Sequence, residues 1–101
     1  MFVVRELMHC KPGKVGEMVK RFKQMAPVMK ELGFATPPRV MTDVTGEPFW
    51  TIVWEQDVPN LEQYMEMSRQ TMADPRLQKI MEGYHDFVVS GKREIYKLET
   101  V

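Results

Sequence analysis

Six consecutive residues, Phe49-Trp50-Thr51-Ile52-Val53-Trp54, are all aromatic or β-branched, the side chains that suit a pleated strand. Alternation along a strand puts Trp50, Ile52 and Trp54 on one face and Phe49, Thr51 and Val53 on the other. Read this way, the strand is apolar on both sides, and each side needs a cover. One layer of helices can cover only one. The economical cover for the other is a second copy of the same sheet, which predicts a homodimer about a two-fold axis. Each aromatic or branched side chain buried there contributes about 1.5–3 kcal/mol, so a few per protomer suffice.

The flanking segments supply the rest of the sheet and its helices. Residues 2–10, FVVRELMHC, read as a strand ended by Lys11-Pro12-Gly13. Val15, Met18, Val19, Phe22, Met25, Ala26, Met29 and Leu32 form one continuous helical stripe, with Gly33 as its stop. Pro27 lies inside that stripe and predicts a bend, because it lacks an amide hydrogen. After Pro37-Pro38, residues 39–45 read as a second strand, and Thr45-Gly46-Glu47-Pro48 as the turn into the third. Asn60 is a natural N-cap for a helix from Leu61, and Asp74-Pro75 signals a second helical start. Ser90-Gly91 breaks the pattern, and Arg93 to Thr100 alternate as a last strand.

The order β-α-β-β-α-β predicts an α+β, ferredoxin-like sandwich over residues 1–101: a four-stranded antiparallel sheet with its helices on one face. In that topology the first and third strands are central. Arg39, Asp43, Lys92, Arg93, Lys97 and Glu99 then fall on the edge strands, where charge discourages stray pairing.

Composition removes several classes of function. Lys plus Arg is 14 and Asp plus Glu is 14, so the formal net charge is zero and the cationic surplus of a nucleic-acid module is missing. No apolar run approaches the roughly 20 residues that span a bilayer. Met1 leads straight into Phe2-Val3-Val4-Arg5 without a basic start or a long apolar stretch, so no signal peptide and a cytoplasmic location are expected. The single Cys10 forms no intrachain disulfide and no cysteine-based zinc site, and an inert thiol is its default state. Gly-rich phosphate loops, nucleophile elbows and zinc-helix motifs are all missing.

Few residues carry chemistry. His9 and His85 are the only histidines and the candidate general bases, since imidazole titrates near neutrality. Far apart in sequence and without a carboxylate at ligand spacing, they make a poor metal site, and no metal is expected. For both, solvent exposure or a backbone hydrogen bond is the simpler reading. Trp54, Tyr64 and Tyr84 are candidates to line a pocket between sheet and helices, although a strand Trp is more often plain core. Arg5 and Glu6 lie mid-strand on opposite faces. Whichever of them faces the helices can offer a polar group to a ligand, and the other can form an ion pair across the dimer; structural pairing is the competing reading. Ten methionines imply an adaptable core, and Lys14, Lys20, Arg21 and Lys23 on the first helix read as a solvated face.

The element order, with KPGK before the first helix, MAPVMKELGF at its end and a third strand running into WEQDVPNLEQYM, resembles the dimeric α+β barrel superfamily. The antibiotic-biosynthesis-monooxygenase-like and NIPSNAP-like groups are the nearest in pattern. The resemblance implies a dimeric barrel, a small hydrophobic or aromatic ligand and, for an enzyme, oxygenase chemistry without a tightly bound cofactor. Haem-degrading members carry a Trp at the end of the third strand, matched by Trp54, but also a histidine on the second helix and an Asn in the first strand. Tyr64-Met65-Glu66-Met67-Ser68 has no histidine and residues 2–10 no Asn, so haem degradation is not implied and no cofactor is expected. A non-catalytic binding or assembly module of the same fold stays open beside the enzyme.

Overall fold

The structure, a computed structural model, describes residues 1–46 and 48–101. Strands β1 (Phe2–Cys10), β2 (Arg39–Thr42), β3 (Thr51–Val58) and β4 (Val88–Lys97) make one antiparallel sheet in the order β2-β3-β1-β4. Helices α1 (Val15–Glu31), α2 (Leu61–Ala73) and α3 (Pro75–Ile80), followed by a 3-10 turn at Tyr84–Asp86, complete the chain. This is the expected ferredoxin-like arrangement, with β1 and β3 central. The shortest dimension is 18 Å, the thickness of one helix layer on one sheet.

One face of the sheet and the helices share the core. Val4 and Cys10 of β1 and Ile52, Trp54 and Val58 of β3 pack with Met18, Phe22 and Met29 of α1, Tyr64 of α2 and Leu77 of α3. Phe22 meets Trp54 edge to face at 4.9 Å between ring centroids, the favoured aromatic geometry. Burial pushes the Cys10 thiol up from its ordinary pKa, which keeps it protonated and unreactive.

Several boundaries differ from expectation, each for a local reason. α1 carries Pro27 within its span and ends at Glu31, one residue before Leu32; the proline leaves only the Lys23 carbonyl without its helical donor. β2 stops at Thr42, where Asp43 accepts a hydrogen bond from the Thr51 amide at 2.8 Å and closes the hairpin. In the expected Thr45–Pro48 turn, Glu47 lies outside the described residues. β4 begins at Val88 rather than Arg93 and passes straight through Ser90-Gly91, with a register shift opposite His9 and Cys10.

The third strand needs the largest correction. It spans Thr51–Val58, not 49–54, and Phe49 and Trp50 precede it. Trp50 takes a left-handed backbone with φ 64° and is 43% exposed, so it breaks the alternation that would have put it beside Ile52. The face turned away from the helices is therefore Thr51, Val53, Glu55 and Asp57, half of it charged. The register adds Val3, Arg5, Leu7 and His9 from β1, Arg39 and Met41 from β2, and Lys92, Glu94 and Tyr96 from β4. Arg39 bridges Glu55 at 2.5 Å and Asp57 at 2.9 Å. Arg5 stands between Glu55, at 3.1 Å, and Glu94, at 3.5 Å.

Candidate functional site

A small cavity opens where the end of α1, the end of β3 and the start of α2 converge. Its volume is about 100 Å³, and its walls include Phe34, Thr36, Gln56, Tyr64 and Met67. Local sequence builds each wall. At the end of α1 the Gly33 amide donates to the Lys30 carbonyl and the Phe34 amide to the Met29 carbonyl, the paired bonds of a Schellman motif. That motif needs a left-handed residue, supplied by Gly33 at φ 101°, and it turns Phe34 back into the core. On the other side, the Asn60 side chain accepts from the Gln63 amide at 2.9 Å and starts α2. One turn later this helix presents Tyr64, whose ring stands edge-on to Phe34 at 6.4 Å.

Gln56 is the polar member of the wall. Its row on β3 is Ile52, Trp54, Gln56 and Val58, all buried, and Gln56 itself is 2% exposed. The carboxamide nitrogen donates to the Thr36 carbonyl at 3.0 Å and ties the 33–36 loop to the sheet. The carboxamide oxygen is buried and accepts nothing. An unpaired buried acceptor costs about 1–3 kcal/mol.

The residues singled out from sequence scatter. Tyr64 lines this cavity. Trp54 is 5% exposed and packed on Phe22, away from the cavity. Glu6 does face the helices, directly opposite Trp54, but its carboxylate is engaged by Arg93 of β4. Arg5 is the partner residue on the open face. Tyr84 sits on the 3-10 turn, partly buried against the core, with the exposed His85 ring 4.0 Å from its own. His9 lies on the open sheet face between Thr51 and Ser90, its Nδ1 buried without a hydrogen-bond partner. The structure thus separates the two histidines from the cavity and from each other. Among the described residues no cluster of His, Cys, Asp and Glu is arranged to hold a metal.

Two charged residues, one at the cavity and one at the end of α3, have structural duties. Asp57 lines the cavity through its position on β3, while its side chain is bound by Arg39, which holds the carboxyl below the usual aspartate range. Arg21, expected on a solvated face, donates to the Ile80 and Glu82 carbonyls at 2.7 and 2.5 Å and stacks on Phe87. It satisfies the orphan carbonyls at the end of α3.

Phe34, Gln56 and Met67 were not foreseen. Carrying the two-residue alternation of β3 past Trp54 to Val58 is the signal that finds Gln56, as the one polar residue in a buried row.

Neither a family model nor a curated protein matches the chain. Solved structures do. A NIPSNAP family protein of unknown function from Agrobacterium tumefaciens superposes with a TM-score of 0.82 at 19% identity, over 97% of this chain and 87% of that one. An uncharacterised NIPSNAP domain protein from Burkholderia xenovorans gives 0.82 at 15% identity, over 98% and 95% of the two chains. An antibiotic biosynthesis monooxygenase gives 0.72 at 9% identity, over 99% and 100%. At identities this low the superpositions establish a shared fold and nothing finer, and it is the fold that the resemblance in sequence pattern implied.

Proposed function

We propose that the protein binds a small hydrophobic or aromatic molecule in the cavity beside Tyr64 and works as a homodimer joined through its open sheet faces. The cavity between Phe34, Tyr64 and Met67 carries the first part. Phe34, Tyr64 and Met67 make it largely apolar, and at about 100 Å³, roughly two thirds of the ~150 Å³ cavity known to take benzene, it suits the head of a ligand whose remainder stays at the open mouth. The open face supports the second. It combines Val3, Leu7, Val53, Met41 and Tyr96 with three cations (Arg5, Arg39, Lys92) and three anions (Glu55, Asp57, Glu94), a balance that lets one copy complement another across a two-fold axis.

Binding is favoured over catalysis by the walls themselves. Neither His9 nor His85 borders the cavity, and Asp57 is committed to Arg39. The oxygenase alternative rests on the fold shared with the monooxygenase and would have to take its proton acceptor from Tyr64. Titrating isotope-labelled protein with single-ring aromatics tests the binding reading: amide shifts should concentrate at residues 33–36, 56–60 and 64–67. Shifts confined elsewhere, or none at millimolar ligand, overturn it.

A further inference from the structure

A carboxamide in an otherwise apolar buried row departs from the local pattern, and such departures collect at functional sites. Half of the Gln56 side chain has a structural task, since its nitrogen holds the Thr36 carbonyl. The other half has none: Oε1 is sealed from solvent and unpaired, and Gln56 is one of the residues that border the cavity. An apolar residue of the same volume would fill the row without leaving an orphan acceptor. Resting on the binding reading above, we propose that Gln56 is a specificity residue and that the cavity takes the hydroxyl-bearing end of a ligand, a phenol or a small alcohol, whose O–H donates to Gln56 Oε1.

The chemistry selects this class. The atom left without a partner is the carboxamide oxygen, an acceptor, so a hydroxyl donor satisfies it whereas a carboxylate, phosphate or ketone, which bring only acceptors, do not. An ammonium would bring a buried charge with no anion free to meet it, because Asp57 is held by Arg39 on the other side of the sheet. A neutral hydroxyl donates one hydrogen bond at no charge cost. The terminal torsion of Gln is soft, so a rotation of the carboxamide plane can bring Oε1 to the cavity, with Nε2 moving in step against the Thr36 carbonyl. Phe34 and Tyr64 then contact the ring or chain behind the hydroxyl.

Phenol, toluene and anisole form the test, since toluene matches phenol in shape and anisole keeps the oxygen without the donor. Calorimetric or NMR titration of the wild-type protein is expected to give phenol an affinity at least about tenfold above both, the range of one buried hydrogen bond. In Gln56→Leu the order should invert, with toluene bound at least as well as phenol. Equal affinities in the wild type overturn the donor assignment and leave the binding reading intact. No binding by any of the three overturns both. The wild-type comparison stands by itself should Gln56→Leu fold poorly.

Discussion

Trp54 and Glu6 face each other across β3 and β1 on the helix side of the sheet, yet they differ in what their loss should cost. Trp54 is enclosed by the core and braced on Phe22. Trp54→Ala should lower unfolding free energy by about 3–5 kcal/mol, read by urea denaturation. The Glu6 carboxylate is partly solvated beside Arg93, so Glu6→Gln should cost no more than about 1 kcal/mol. It should leave binding of an aromatic ligand unchanged; a loss of affinity with an unaltered melting temperature would return Glu6 to the ligand site. At this scale the sequence exposed the aromatic core but not the polar exception. Trp54 and Tyr64 stand out by type and spacing, whereas Gln56 becomes visible only once β3 is known to continue through Glu55-Gln56-Asp57, a stretch of low strand propensity. That stretch is held by backbone pairing with residues 3–5 of β1, and Arg5 and Arg39 on the neighbouring strands offset its acids, long-range partners that no local propensity contains.

Helix ends are legible where a side chain acts on its own backbone. Asn60 and Asp74 cap α2 and α3 as their types predict, and Gly33 ends α1. Asn60→Ala should cost about 1 kcal/mol and, by loosening the start of α2, weaken ligand binding, which thermal melts with and without phenol would register together. Partners distant in sequence were not legible: Arg76 of α3 reaches Glu31 of α1 at 2.5 Å, and Arg21 of α1 closes the far end of α3. Two aspartates make the edges sensitive to acid. Hydrogen bonds from Arg39 lower the Asp57 carboxyl and those from Arg76 lower Asp74. For a group whose folded value lies below its unfolded one, the stabilisation is complete above the ordinary aspartate range near 4 and is lost as pH falls through the folded value. Asp57→Asn should therefore melt below wild type at pH 6, with the gap narrowing as the pH is lowered to 3. A constant gap across that range would mean that Asp57 contributes through shape rather than charge.

The whole molecule is a sheet with helices on one side, and the unresolved physical demand is the other side. A strand apolar on both faces was the reason to expect a partner, and that reason changes in the folded chain. Glu55 and Asp57 make half of that row charged, and Arg5 and Arg39 pair with them. What persists is a patch centred on Leu7 and Val53, opposite one another in the register, with Val3, Met41 and Tyr96 around it. Val53→Arg is the sharpest probe of that patch, because the side chain points away from the core and the protomer fold should survive. Wild-type protein at micromolar concentration should show twice the 11.9 kDa protomer mass by light scattering, and Val53→Arg a single protomer with an unchanged circular dichroism spectrum. A wild-type monomer would remove the dimer while leaving the cavity beside Tyr64 untouched, since every wall of that cavity comes from one chain. A variant that stays dimeric would move the interface off the sheet face, toward the exposed Phe49 and Trp50 ahead of β3.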